Sequence, residues 1–138
     1  RISVKNLTVI LETIADFAAF TKNPDDLAEQ ARRRLGVYFI RDFESQPGVI
    51  RALTLEPRLE QTLVARIKRT QFEISLMMDP LLAQHLLKTM GALLGEMSDE
   101  GMTPIVMVTA ELRLAFKRFF EPSFPRMAVL AYQELPEN

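Results

Sequence analysis

The sequence predicts a helical piece followed by a small α/β domain with a mainly parallel sheet. Up to Phe43 the apolar residues recur at helical spacing, whereas beyond the turn Gln46-Pro47-Gly48 strand-like and helix-like runs alternate. Within the second part, Pro104-Ile105-Val106-Met107-Val108 is almost wholly apolar, as a central strand covered on both faces must be. The chain accordingly divides at that turn into a helical subdomain, 1–46, and an α/β subdomain, 47–138.

Each element has a local reason. From Ser3 to Phe20, Val4, Leu7, Ile10, Leu11, Ile14, Phe17 and Ala18 form one helical stripe behind Ser3 as N-cap. Thr21 to Asn23 breaks that pattern, and Pro24 then occupies a first helical position behind Asn23. The helix that follows has Asp25 and Asp26 in its first turn and Arg32, Arg33 and Arg34 further on, the order the helix dipole favours. Its apolar face is Leu27, Ala31, Leu35, Tyr38 and Phe39. After the boundary, Val49, Arg51, Leu53 and Leu55 alternate with Ile50, Ala52 and Thr54 as a short strand. Pro57 opens a helix with Leu59, Leu63, Val64 and Ile67 inward, and Phe72 to Met77 reads as a short strand. Asp79-Pro80 starts a helix running to about Met97, with Leu82, Leu86, Met90, Leu93 and Met97 on one face. Past the polar loop Ser98 to Met102 and the apolar strand, Leu112, Ala115, Phe116 and Phe119 mark a helix ending before Pro122. Met127 to Tyr132 is a last strand. Strand and helix alternating in this way imply β-α-β units.

Composition narrows the function. With 138 residues, 48% of them hydrophobic, the chain can build a core without metals or disulfides. Seventeen Lys and Arg against eighteen Asp and Glu leave a net charge of −1, so the bulk charge calls for neither nucleic acid nor anionic lipid. The absence of cysteine removes thiolate metal cages, iron–sulfur clusters and a thiol nucleophile, and the single histidine, His85, rules out a multi-histidine metal site. The longest apolar stretches, such as Thr103 to Ala110, fall short of a membrane span. A chain that opens on Arg1, directly into a helix, is expected to be a segment of a longer protein.

Catalytic signatures are missing. Gly36, Gly48, Gly91, Gly95 and Gly101 form neither a GxGxxG nor a GxxxxGK[ST] loop, and there is no GxSxG elbow. His85 lies beside the apolar stripe of its helix, which suits a packing or surface role. The pair Asp25/Asp26 suits a helix N-terminus, and Asp99/Glu100 suits a polar loop. No catalytic, cofactor-binding or metal-binding residue is therefore assigned. The residues that invite a protein-contact role are Arg32, Arg33 and Arg34, which point about 100° apart on a helix and cannot all reach its buried stripe. Phe120 joins them, because it faces differently from Phe116 and is expected at the surface. Arg66, Lys68 and Arg69 form a second basic run that reads as a solvated face, while Phe116, Phe119 and Phe124 read as core and the seven methionines as core-fillers first and an adaptable binding surface second. The residues alone leave open an interaction domain, a free-standing adaptor, or a small enzyme built around His85.

The residue strings go further. ISVKNLTVILETIADFA and NPDDLAEQARRRLGVYFI resemble the helical third cytoplasmic subdomain of the type III secretion export-gate family, which has a flagellar branch (FlhA) and a virulence-injectisome branch (SctV). TPIVMVTAELRLAFKRFFEPSFPRMAVLAYQEL looks like the end of that family's fourth subdomain, its last strand reading Val129-Leu130-Ala131-Tyr132-Gln133-Glu134-Leu135, with Ala131 and Gln133 departing from the usual Ser and Asn. The resemblance implies a non-enzymatic role without cofactors, in a homo-oligomeric ring at the cytoplasmic face of the bacterial inner membrane. There the ring receives export chaperones, secreted substrates and components of the ATPase complex; nucleic acid has no part, and the membrane is reached only through an N-terminal part that this chain lacks. Thr21-Lys22-Asn23-Pro24-Asp25 leans toward the flagellar branch. The pocket attributed to chaperone recognition lies largely in subdomains not contained here, so no chaperone-binding residue is carried over.

Overall fold

The computed structural model describes residues 23–44 and 50–135. The helix expected over Ser3 to Phe20 and the turn Gln46 to Gly48 lie outside the described residues. Helix α1 spans Pro24–Phe39 and leads into a 3-10 turn at Ile40–Phe43. Its start follows the sequence, since the Asn23 side chain accepts from the Asp25 and Asp26 amides at 2.8 and 3.4 Å and Pro24 fills the first position that needs no donor.

The second part alternates strand and helix as expected except at one antiparallel hairpin. Strand β1 is Leu53–Thr54, followed by α2, Pro57–Val64, whose first amides are capped by Glu56. Strands β2, Ile67–Arg69, and β3, Ile74–Leu76, form an antiparallel hairpin. Helix α3 runs Pro80–Asp99 behind Asp79, β4 is Ile105–Val108, α4 is Ala110–Phe120, and β5 is Ala128–Ala131 before a 3-10 turn at Tyr132–Glu134. Two expectations are corrected. Ile67 belongs to a strand rather than to the preceding helix, because α2 stops at Val64 and the chain folds back as a hairpin. In α3, Leu86, Met90 and Met97 are buried as expected, but Leu94 takes the place expected for Leu93, which is exposed.

Strands β1, β4 and β5 form one parallel sheet in that order, with Leu53 opposite Val106 and Val106 opposite Val129. The central strand is buried along its whole length, and its side chains alternate between two cores. Val106 and Val108 face Leu63, Leu86, Met90, Leu112 and Phe116 of α2, α3 and α4. Ile105 and Met107 face the other way, onto Ile40 at the end of α1, with Phe43 and Ile50 packed alongside. The helical part thus covers one face of the sheet that the α/β part builds.

Phe120 is fully buried, contrary to its expected exposure. Its ring lies 4.6 Å from that of Phe116 and 5.0 Å from that of Phe119, centroid to centroid. Leu112, Phe116 and Phe120 recur at steps of four and so share one face of α4, which packs into the core and removes Phe120 from the surface residues.

Candidate functional site

The most ordered chemistry is an ionic seam along one stripe of α1. Asp25, Glu29, Arg32 and Gly36 recur at steps of four, three and four, which aligns them on one helix face. That face meets the α/β part. At its first turn Arg118 Nη2 donates to Asp25 Oδ1 at 2.8 Å while Nη1 donates to Oδ2, and the Ile74 amide donates to the same carboxylate at 2.7 Å. Arg118 also donates to the Ile74 carbonyl. These donors hold the Asp25 carboxyl below its usual range, Arg118 contributing most, against the opposing effect of burial. Arg118 is correspondingly raised by the carboxylate. Beside this clamp, Asn23 donates to the Thr70 carbonyl and Arg69 pairs with Asp26 at 2.8 Å.

One turn on, Arg113 donates through Nε and Nη2 to both oxygens of Glu29, at 3.0 and 2.7 Å, and through Nη1 to the Val129 carbonyl at 3.0 Å. The two side chains are only 6% and 15% exposed. Arg32 lies with Nε 3.0 Å from Glu134 Oε2, and Glu134 Oε1 accepts from the Ala131 amide at 2.8 Å. Burial and the nearby Arg113 lower the pKa of Arg32, with Glu134 acting in the opposite sense. Gly36 completes the stripe because a Cβ there would come 2.7 Å from the Glu134 carbonyl oxygen. Only glycine lets the helix approach the 3-10 turn this closely.

The expected contact residues therefore separate. Arg32 is turned inward to Glu134 and is a structural cation; Arg33 is exposed, and the Arg34 side chain lies outside the described residues. The correction for Arg32 has a simple cause, since the charged stripe of α1 meets counter-charges rather than water. His85 is exposed on α3. The seam residues Glu29, Arg113, Arg118 and Glu134 had no motif to announce them. One signal was present, namely Arg113 sitting between Leu112 and Ala115 on the apolar face of its helix.

At the C-terminal ends of the parallel strands, where α/β sheets receive anions, the start of α4 is already occupied. The Thr109 amide donates to Glu60 Oε2 at 3.1 Å and the Ala110 amide to Gln133 Oε1 at 2.9 Å. A carboxylate of the chain itself sits where a phosphate would, and burial, with the Glu60 charge adding to it, raises the pKa of Tyr132 nearby. Among the described residues no three His, Asp or Glu side chains group to hold a metal ion, and no helix is long and apolar enough to cross a membrane. An open groove of about 270 Å³ lies between α3 and the segment after α4, lined by Gly91, Leu94, Gly95, Phe124 and Met127.

These ion pairs tie α1 to α4 and to the last 3-10 turn. Flagellar biosynthesis protein FlhA of Bacillus subtilis is 26% identical over 138 residues, covering all of this chain and 20% of its own length. The structure of the Chlamydia pneumoniae CdsV and CdsO complex matches 97% of this chain and 39% of its own, at 25% identity and a TM-score of 0.77. The fold is shared with nonameric SctV-C of EPEC, at 20% identity and a TM-score of 0.79 over 99% of this chain and 40% of that one. The chain spans about one fifth of the curated relative it matches. The model of the FHIPEP family matches residues 1–138, and so this chain belongs to the FHIPEP family, the family of type III secretion export gates.

Proposed function

We propose that this chain is the C-terminal portion of the cytoplasmic domain of an export gate, of the flagellar type, and that it serves protein export by docking chaperone–substrate complexes and export components. The observation that carries this reading is the family match over residues 1–138, the entire chain. The flagellar lean rests on relatives such as the B. subtilis FlhA. Assembly in a homo-oligomeric ring at the cytoplasmic face of the inner membrane is supported by the nonameric state of SctV-C, and partner docking by the complex of CdsV with CdsO. The role is mechanical rather than catalytic, as a face of buried ion pairs and a carboxylate-filled anion position suggest. Subunit or partner contact in the ring falls to Arg33 and Arg34, once Arg32 is assigned to the seam.

The test uses the full-length gene product in a strain lacking its own copy. Removal of this portion should abolish motility and secretion of filament protein while the rest of the protein stays in the membrane. Intact motility with loss of injectisome secretion would move the protein to the virulence branch, and intact export of both kinds would end the export-gate reading. Charge reversal at Arg33 should impair ring assembly and leave the 138-residue chain folded; unchanged assembly would return that residue to a solvated face.

A further inference from the structure

The fold treats its strand edges unequally. The outer edge of β5 is closed by side chains, since the Val129 carbonyl accepts from Arg113 and the Ala131 amide donates to Glu134. The outer edge of β3 is closed in the same manner at Ile74, whose amide donates to Asp25 and whose carbonyl accepts from Arg118. The opposite side of that hairpin is different. Thr70 donates to the Glu73 carbonyl and Met77 to the Arg66 carbonyl, both at 2.9 Å, with Lys68 opposite Ser75 between them. Hydrogen-bonded pairs alternate in an antiparallel ladder, so Ile67 and Arg69 turn their N–H and C=O groups away from β3. Among the described residues no strand lies on that side, and Arg66, Lys68, Arg69 and Thr70 are all exposed.

The charge along this edge selects what can join it. Arg66 and Lys68 project from the outer face beside Met77, which is 55% exposed, and the run from Arg66 to Thr70 contains no acid. A second copy of the same edge would set like charges against each other, which destabilises a strand pair. An acidic strand would meet both the unpaired backbone groups and the two cations. We infer that the outer edge of β2 receives an extended acidic segment of a partner protein by strand addition, its main chain bonding to Ile67 and Arg69 and its carboxylates facing Arg66 and Lys68. The inference goes beyond the export-gate reading and stands on this edge alone.

Amide hydrogen exchange of the full 138-residue chain tests it, with a synthetic heptapeptide of alternating Glu and Val as the probe and its Lys-Val counterpart as control. Saturating acidic peptide should slow exchange at Ile67 and Arg69 by about tenfold or more, leaving the already bonded Lys68 amide little changed. Lys68→Glu should weaken binding by about tenfold without moving the melting temperature. Arg69→Pro, which removes an outward N–H and no ladder bond, should weaken binding more than Arg69→Ala does. Unchanged exchange at Ile67 and Arg69 while the peptide binds elsewhere, equal binding of the Lys-Val peptide, or protection that grows with protein concentration in the absence of peptide would each overturn the inference. Because the exchange measurement is made on the unaltered chain, it decides the matter even if a variant fails to fold.

Discussion

Arg113→Ala should destabilise the whole chain by about 3 kcal/mol. Arg113 and Glu29 are both largely removed from solvent and share two hydrogen bonds, while the third bond of the guanidinium holds the edge carbonyl of Val129. Removing one partner of such a pair costs roughly 3–5 kcal/mol, because the other charge stays buried without compensation. Arg32, close enough to feel Glu29, offsets part of that loss and puts the expected value at the lower end. For 138 residues an unfolding entropy of about 2.1 cal/mol/K per residue turns about 3 kcal/mol into a drop of about 10 °C in melting temperature. Urea unfolding followed by far-UV circular dichroism gives the free energy, and a double-mutant cycle with Glu29→Gln isolates the pair, with a coupling of about 1–3 kcal/mol expected. Amide signals of Ala31 in α1 and Val106 in β4 should disappear together, since the pair ties one element to the other. A loss below about 1 kcal/mol, the range of exposed ion pairs, would refute the reasoning. So would a coupling near zero, or a transition in which α1 melts well before the sheet.

Four further outcomes follow from the same contacts. Because the folded-state pKa of Asp25 is depressed, its stabilisation is present above the unfolded pKa of about 4 and is lost as pH falls through the folded value; Asp25→Asn should flatten the acid limb of stability against pH, and an unaltered limb would remove Asp25 from the clamp. Phe120→Ala should cost about 3–5 kcal/mol in chemical denaturation, whereas a cost under 1 kcal/mol would restore Phe120 to the surface. His85→Ala should stay within about 0.5 kcal/mol of the parent and leave motility of the full-length protein intact, and loss of motility at equal abundance would reopen a proton-transfer role. A chain starting at Val49 should melt well below the full chain, because Ile105, Met107 and Leu130 lose the cover of Ile40 and Phe43, with about 2 kcal/mol or more forfeited for Ile40 alone; equal melting temperatures would make the helical and α/β parts separately stable.

Much of this protein was determined by sequence alone, where the determinant is local. Asn23-Pro24 and Asp79-Pro80 place two helix starts because a cap and a first-turn proline act within one turn. The run Ile105 to Val108 announces a strand covered on both sides, since no water-facing position interrupts it. The succession of strings that resembles the export-gate family was legible for the same reason, being a property of the chain and not of its folding.

Tertiary structure decided what depends on the neighbour across a gap. The hairpin of β2 and β3 hides in Arg66-Ile67-Lys68-Arg69 because its turn, Gln71-Phe72, lacks the glycine or asparagine that usually marks one, and because Asp25 and Arg118, distant in sequence, hold its far edge. Leu93 and Leu94 are equally apolar, and only the docking of α3 chooses between them. The chain alone does not say what Asp25, Glu29 and Arg32 face, since a charge pattern has the same periodicity whether water or a guanidinium lies opposite. Burial of the counter-charges Arg113 and Glu134 depends on how α4 and the last 3-10 turn meet that helix, and no residue within one turn of the stripe encodes it.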